Sequence, residues 1–299
     1  MGVLGWLVLA PGMAGSALAQ EESGAGSPAD EVRRALVSSG LGSEDIAERQ
    51  PEAAIWLDLE GDDTGLALYE PGADSPEKGA MLMLADEGQS AASGLLAALG
   101  GAFTSAGWSV MTLGLEAPPF ELQQAWKRVD ADLPAPEEAP GGKAADSVMI
   151  DVMDKGEQDD LESRYRQRVQ ALLSAAALNL RERGYQRVVL VAVGAGAIHT
   201  TRYVAAGTGN ELVWLTPRFY PQDETALDEL LAAVEPLALL HLYSSREPSQ
   251  RESARARTAE LKEAGVAGYR SQPVAMASRA EVRDADALAN RILAWLKSR

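Results

Sequence analysis

The sequence predicts an α/β fold, an open and mostly parallel sheet with helices on both faces. Three observations carry this. Short apolar runs recur from residue 80 onward, segments of helical period lie between them, and the runs lack the apolar–polar alternation of a half-exposed strand. Strands covered on both sides read this way, and strand–helix alternation over such a length makes a parallel sheet.

Taken in order, a polar stretch at 21–27 precedes one short predicted helix at 29–39, ahead of Gly40. "AAIWLDLEGDDTGLALYEPG" holds two short strands, 56–59 and 66–69, around Gly61-Asp62-Asp63, which predicts an antiparallel hairpin. "AMLML" (80–84) is a buried-type strand, 91–106 a helix stopped by Gly107, and "WSVMTLGL" (108–115) the next strand. Residues 116–156 break the rhythm. Pro118, Pro119, Pro134, Pro136 and Pro140 stand among many acids and neither period is met, which predicts a mobile, acidic, Pro-rich insertion.

Order resumes with a long helix, 157–183, where Leu161, Tyr165, Val169, Leu172, Ala176 and Leu180 recur at helical spacing and Gly184 supplies the stop. There follow strand 188–193, helix 196–206, strand 212–215, helix 224–234, strand 237–243, helix 251–264 and a last strand near 268–274. In the helix at 251–264, Arg251, Arg255 and Arg257 beside Glu252 and Glu260 read as an exposed, ion-paired face. The terminal helix, 284–298, carries an apolar stripe of Leu288, Ile292, Trp295 and Leu296. No internal repeat is visible.

Composition narrows the function. The chain has 299 residues, 46% hydrophobic, enough for a sizeable core. Its 27 basic and 44 acidic residues give a net charge of −17, which repels nucleic acid and anionic membrane surfaces, so neither is an expected partner. There are no cysteines, which excludes disulfides, thiolate metal sites, thiol nucleophiles and lipobox acylation. Two histidines, His199 and His241, offer little for a zinc site or proton relay. Asp62-Asp63 and Asp159-Asp160 lack the oxygen spacing and central glycine of a calcium loop. No metal or cofactor is expected.

"MGVLGWLVLAPGMAGSALAQEE" has an apolar stretch followed by small residues, and Ala17-Leu18-Ala19 fits a cleavage site before Gln20. No Lys or Arg precedes Arg33, so the usual positive n-region is missing. A membrane anchor is the competing reading, but Pro11, Gly12, Gly15 and Ser16 interrupt a run already shorter than the ~20 residues of a span. The predicted organisation is a signal peptide (1–19), an N-terminal linker with a short helix (20–50) and one domain (51–299), giving an exported, periplasmic protein without an integral membrane segment in the mature chain.

The chemistry centres on "RVVLVAVGAGAIHTTRY", residues 187–203, where a strand runs through a small-residue corner into a helix. A dinucleotide fingerprint fits poorly. Gly194 and Gly196 supply two glycines, but His199 stands at the third, and the next strand, Leu212–Leu215, runs into Thr216-Pro217 without an acid. A nucleophile elbow, G-x-S-x-G, places Ala192, Gly194 and Gly196 at its first, serine and last positions.

"AMLMLADEGQSAASGLLAALGGAFTSAGWSVMTLGL" and "RVVLVAVGAGAIHTTRYVAAG", in that order with an acidic Pro-rich insertion between, resemble a family of exported bacterial proteins of unknown function classed as alpha/beta-hydrolase-like. The resemblance covers most of the chain after about residue 50 and implies the alpha/beta-hydrolase fold. Carried over position by position, it puts Gly194 at the nucleophile and Asp86-Glu87-Gly88 where hydrolases often have His-Gly. Glu247 in "YSSREPS" is a candidate acid, and "QPVAMASRAEVRDAD" holds no histidine to serve as base. A triad acts as a unit. The resemblance therefore implies a pseudo-hydrolase with a binding or accessory role in the cell envelope, its partner a small molecule or an envelope protein.

The candidate ligand crevice lies at the strand C-termini, around Asp86, Glu87, Gly88, Gln89, Gly194, Ala195, Gly196, Ser244 and Ser245. A free backbone at Gly194 and the helix N-terminus favour an anion, while Asp86 and Glu87 favour a cation or a neutral group. Two alternatives stand beside this. One is a divergent serine hydrolase or esterase whose nucleophile has migrated to Ser90 or Ser244 with His199 or His241 as base; the other is a purely structural envelope protein. His199 also reads as an ordinary helix residue, His241 as a hydrogen-bonded core histidine, and Ser244 and Ser245 as turn residues.

Overall fold

A computed structural model describes residues 40–59, 61–74, 78–129, 155–234 and 236–299. The predicted signal segment, the helix at 29–39 and residues 130–154 of the insertion lie outside them. Among the described residues, eight strands form one sheet: β1 (Ala54–Asp58), β2 (Thr64–Glu70), β3 (Ala80–Glu87), β4 (Ser109–Leu115), β5 (Val188–Val193), β6 (Glu211–Leu215), β7 (Ala238–Ser244) and β8 (Tyr269–Val274), in the order β1-β2-β4-β3-β5-β6-β7-β8. The hairpin β1–β2 joins β4 antiparallel; from β4 through β8 every pairing is parallel.

Register explains the continuous apolar runs. Met83 of β3 stands beside Thr112 of β4 and Val191 of β5, so successive residues feed two cores. One face holds Leu82, Leu84, Leu190, Ala192, Leu212 and Trp214; the other holds Met81, Met83, Val189, Val191, Val213 and Leu240. The second face is covered by α2 (Gly94–Ser105) and α8 (Ala285–Lys297). The first is covered by α3 (Phe120–Val129), α4 (Lys155–Glu182), α5 (Gly196–Ala205), α6 (Pro221–Ala232) and α7 (Pro248–Glu263). A short helix, α1 (Ser43–Arg49), precedes β1. Among the described residues no helix is long and apolar enough to cross a membrane.

Two readings are corrected. The segment predicted as an aperiodic insertion opens on a helix, α3, and its last residues, from Lys155, begin α4. Pro118 and Pro119 stand before the helix, where they cost no hydrogen bond, and Leu122 and Trp126, one turn apart, are buried. The second correction is Arg257. Arg251 and Arg255 are exposed as expected, but Arg257 is 8% exposed and packs with its guanidinium over the ring of Phe219.

Candidate functional site

The corner after β5 has the geometry of an elbow. Gly194 sits at φ +54°, where a side chain is strained. Its N–H donates to the Leu215 carbonyl (3.0 Å), and its carbonyl accepts from Ala197 N–H (3.3 Å) and Arg218 N–H (3.1 Å). At Gly196 a β-carbon would stand 2.8 Å from the Ala85 carbonyl oxygen, so a glycine lets α5 pass against β3.

The space above Gly194 is taken. A β-carbon there would lie 2.2 Å from Oδ1 of Asp86, at the end of β3 beside it. That oxygen accepts three hydrogen bonds: from Ala195 N–H (2.9 Å), Glu87 N–H (2.9 Å) and Nη2 of Arg218 (2.7 Å). In a serine elbow the N–H following the nucleophile, together with one from the loop after the third strand, holds the oxyanion. Here both point at the chain's own carboxylate.

Arg218 reaches Asp86 through a bent exit from β6. Thr216 has φ +44° and is 2% exposed, with its N–H on the Leu242 carbonyl at 2.8 Å. A β-branched residue there costs about 1–3 kcal/mol, held by the packing around it. The turn sets Tyr220 beside Glu87, whose carboxylate oxygens accept from the phenol at 3.0 and 3.2 Å. Burial, then Glu87, pushes the ionisation of Tyr220 upward and keeps that donor protonated. Trp126 of α3 lies against the Tyr220 ring, centroids 4.6 Å apart.

Deeper, Asp223 at the start of α6 is 3% exposed, and its Oδ1 accepts from Arg166 of α4 and Arg202 of α5, each at 3.0 Å. His199 is 6% exposed, its Nδ1 has no partner, and Tyr165 meets it edge-on at 5.5 Å. Tyr165 donates to the Glu116 carbonyl at 2.9 Å.

A family model described as "Protein of unknown function (DUF3530)" matches residues 4–298. The chain belongs to that family. No curated protein sequence matches it at a significant level. Solved structures similar to this DUF3530 chain include Est1E from Butyrivibrio proteoclasticus (TM-score 0.52, 8% identity, covering 82% of this chain and 99% of that one). Dienelactone hydrolase from Anabaena variabilis matches with TM-score 0.52 and 14% identity, covering 82% and 96%. An esterase from Pyrococcus furiosus matches with TM-score 0.53 and 11% identity, covering 82% and 90%. At these identities the likeness is one of fold: the chain has the alpha/beta-hydrolase architecture.

Within this DUF3530 fold the predicted crevice divides. Asp86, Glu87, Gly194, Ala195 and Gly196 come together at the elbow, and Gly88 and Gln89 turn back onto β4, with Gly88 N–H on the Leu115 carbonyl (2.8 Å) and Gln89 carbonyl accepting from Leu115 N–H (3.0 Å). Ser244 ends β7 and Ser245 follows it, two strands from β5, roughly 10 Å across the sheet. The Ser244 hydroxyl is buried and donates to the Met276 carbonyl at 2.6 Å, and Ser245 N–H is held by the Val274 carbonyl at 2.8 Å. Glu247 is the N-cap of α7 and accepts from the Ser249 hydroxyl at 3.2 Å. Among the described residues no serine hydroxyl hydrogen-bonds to either imidazole, and no group of three His, Asp or Glu is placed to hold a metal.

Arg218, Tyr220 and Asp223 were missed in the sequence. The signal available was position: "TPRFYPQD" follows β6 directly, at the strand ends where such folds gather their sites.

Both histidines are neutral, weakly basic rings near neutrality. Burial, then Arg166 and Arg202, lowers His199 from 6.5 to about 3. Burial, then Arg257, does the same to His241, whose Nδ1 lies 2.7 Å from the Tyr269 hydroxyl. Because both folded values fall below the unfolded one, the unfolded chain binds more protons in acid. Their contribution to stability is full above about pH 6.5 and is lost as pH falls towards 3. Urea unfolding at pH 7, 5.5 and 4.5 should show this decline, and a His199→Gln, His241→Gln double variant should show a shallower one. Equal slopes would contradict the burial of both rings.

Proposed function

We propose that this protein is an exported, non-catalytic alpha/beta-hydrolase-fold protein that acts in the cell envelope by binding a small molecule or a protein partner. The observation that carries the reading is the Asp86 carboxylate: it occupies the room a nucleophile at position 194 needs and uses the Ala195 and Glu87 N–H donors that an oxyanion would need. Burial leaves both histidines weakly basic, poorly matched to taking a proton near neutrality, and neither reaches a serine hydroxyl among the described residues. The small-residue site before Gln20 supports export.

Protein taken from the periplasmic fraction of its native host should begin at Gln20, resist labelling by a serine-directed fluorophosphonate and leave short-chain esters at buffer background. Stoichiometric labelling at Ser90 or Ser244 would replace this reading with that of a hydrolase whose nucleophile has migrated.

A further inference from the structure

Arg257 is the anomaly of α7. It is 8% exposed, and its guanidinium lies 4.8 Å from the ring centroid of Phe219 and 5.9 Å from that of Trp214. A buried guanidinium ordinarily spends its donors on carboxylates or carbonyls, because leaving them unused in a low-dielectric site is costly. None of the Arg257 N–H groups makes a hydrogen bond. Its acidic neighbour is Glu224, whose Oε1 is 3.7 Å from Nη2, beyond hydrogen-bond length, and whose side chain is 57% exposed.

The residue lines a cavity of about 370 Å³ between the start of α6 and the first turns of α7. His241, 2% exposed, lines the same cavity from β7, and Ser249 and Ser253 do so from α7. We propose that this cavity binds the oxyanion of a small molecule, a carboxylate or a phosphate, with Arg257 as its receptor.

The guanidinium rests over the Phe219 ring, and its unused N–H groups form the planar fork that two oxygens of a carboxylate or phosphate satisfy together. His241 stands neutral there, so it adds no charge. The charges around the cavity limit what fits. Glu224 lines it, Ser249 on its wall already donates to the Glu247 carboxylate, and Arg218 on its wall already pairs with Asp86. One compact anion is therefore the expected load. At a net charge of −17 the chain does not steer anions from a distance, so affinity comes from contact and is modest. The site shares Arg218 with the elbow but does not depend on the protein being non-catalytic.

The test is calorimetric titration of the whole protein with sodium phosphate and, separately, sodium acetate, at constant ionic strength. The expected result is saturable one-to-one binding of at least one of them. Phosphate alone points to a phosphorylated ligand, and acetate to a carboxylate. Arg257→Met, which keeps an apolar stem on Phe219, should weaken binding by about tenfold or more. Ser253 is exposed, so Ser253→Asp leaves the fold intact and should weaken binding similarly by placing a carboxylate at the mouth. Glu224→Gln should strengthen it. Absence of saturable binding of both anions by the unmodified protein overturns the proposal, as does unchanged affinity in Ser253→Asp.

Discussion

Gly194→Ser is expected to lower unfolding stability by about 3 kcal/mol and to create no esterase. Two costs combine. The left-handed backbone at φ +54° penalises any β-carbon by about 1–2 kcal/mol. That carbon would also meet Oδ1 of Asp86 at 2.2 Å, and moving the carboxylate away breaks charge-assisted hydrogen bonds to Ala195, Glu87 and Arg218, each worth about 1.5–3 kcal/mol. A small shift of the carboxylate that gives up one of the three bonds and keeps the others holds the sum to about 3 kcal/mol. Chemistry is not restored, because no base stands ready for the new hydroxyl. Urea unfolding of Gly194→Ser, Asp86→Ala and the double variant gives the decisive comparison. Once the carboxylate is gone the serine has room, so the double variant should lose less than the two single losses added together. A single variant within about 0.5 kcal/mol of the parent would mean the space above Gly194 is not filled as described.

Asp223→Ala should cost a similar amount, about 3 kcal/mol, by a different route. Oδ1 of Asp223 neutralises two guanidiniums from two helices, and its side chain is 4% exposed. Removing it leaves Arg202, whose Nε already lacks a partner, without its carboxylate. Arg166 keeps Glu162 at 2.6 Å, and both arginine side chains are about a quarter exposed, at 24% and 25%, so water moderates the loss. Asp223→Asn, which retains an acceptor, should lose less. The control is Lys78→Ala, which breaks a pair with Asp74 whose side chains are 51% and 55% exposed. Its effect should be within about 0.5 kcal/mol. If thermal unfolding finds Asp223→Ala no more damaging than that control, the cluster is not a support of the fold.

The sheet was legible because its central strands, β3 to β7, are written locally, as apolar runs covered on both faces. The buried stripe of α4, Leu161 through Leu180, was equally plain. The helix at Phe120–Val129 was hidden by its setting, two prolines before it and a run of acids and prolines after, which pulled the whole window toward irregular structure. Arg257 was misread because its charge outweighed its position. It lies about 200° around the helix from Arg255, and with Ala254 and Leu261 it completes the buried stripe of α7. Gly194 was readable as a missing hydroxyl, but what replaces it was not. Asp86 meets Ala195 across 109 residues and Arg218 across 132, and no local pattern records such a meeting.

The Asp86 carboxylate has a consequence for how this chain can change. A serine introduced first at position 194 collides with it, whereas removing Asp86 first strips Arg218 and the start of α5 of their acceptor before anything is gained. Either order begins with a loss of stability comparable to the few kcal/mol by which a single substitution unfolds a marginal protein. Random mutation taken one step at a time therefore meets a valley between this chain and a serine elbow. A laboratory selection for ester cleavage would have to start from libraries that vary positions 86, 194 and 218 together.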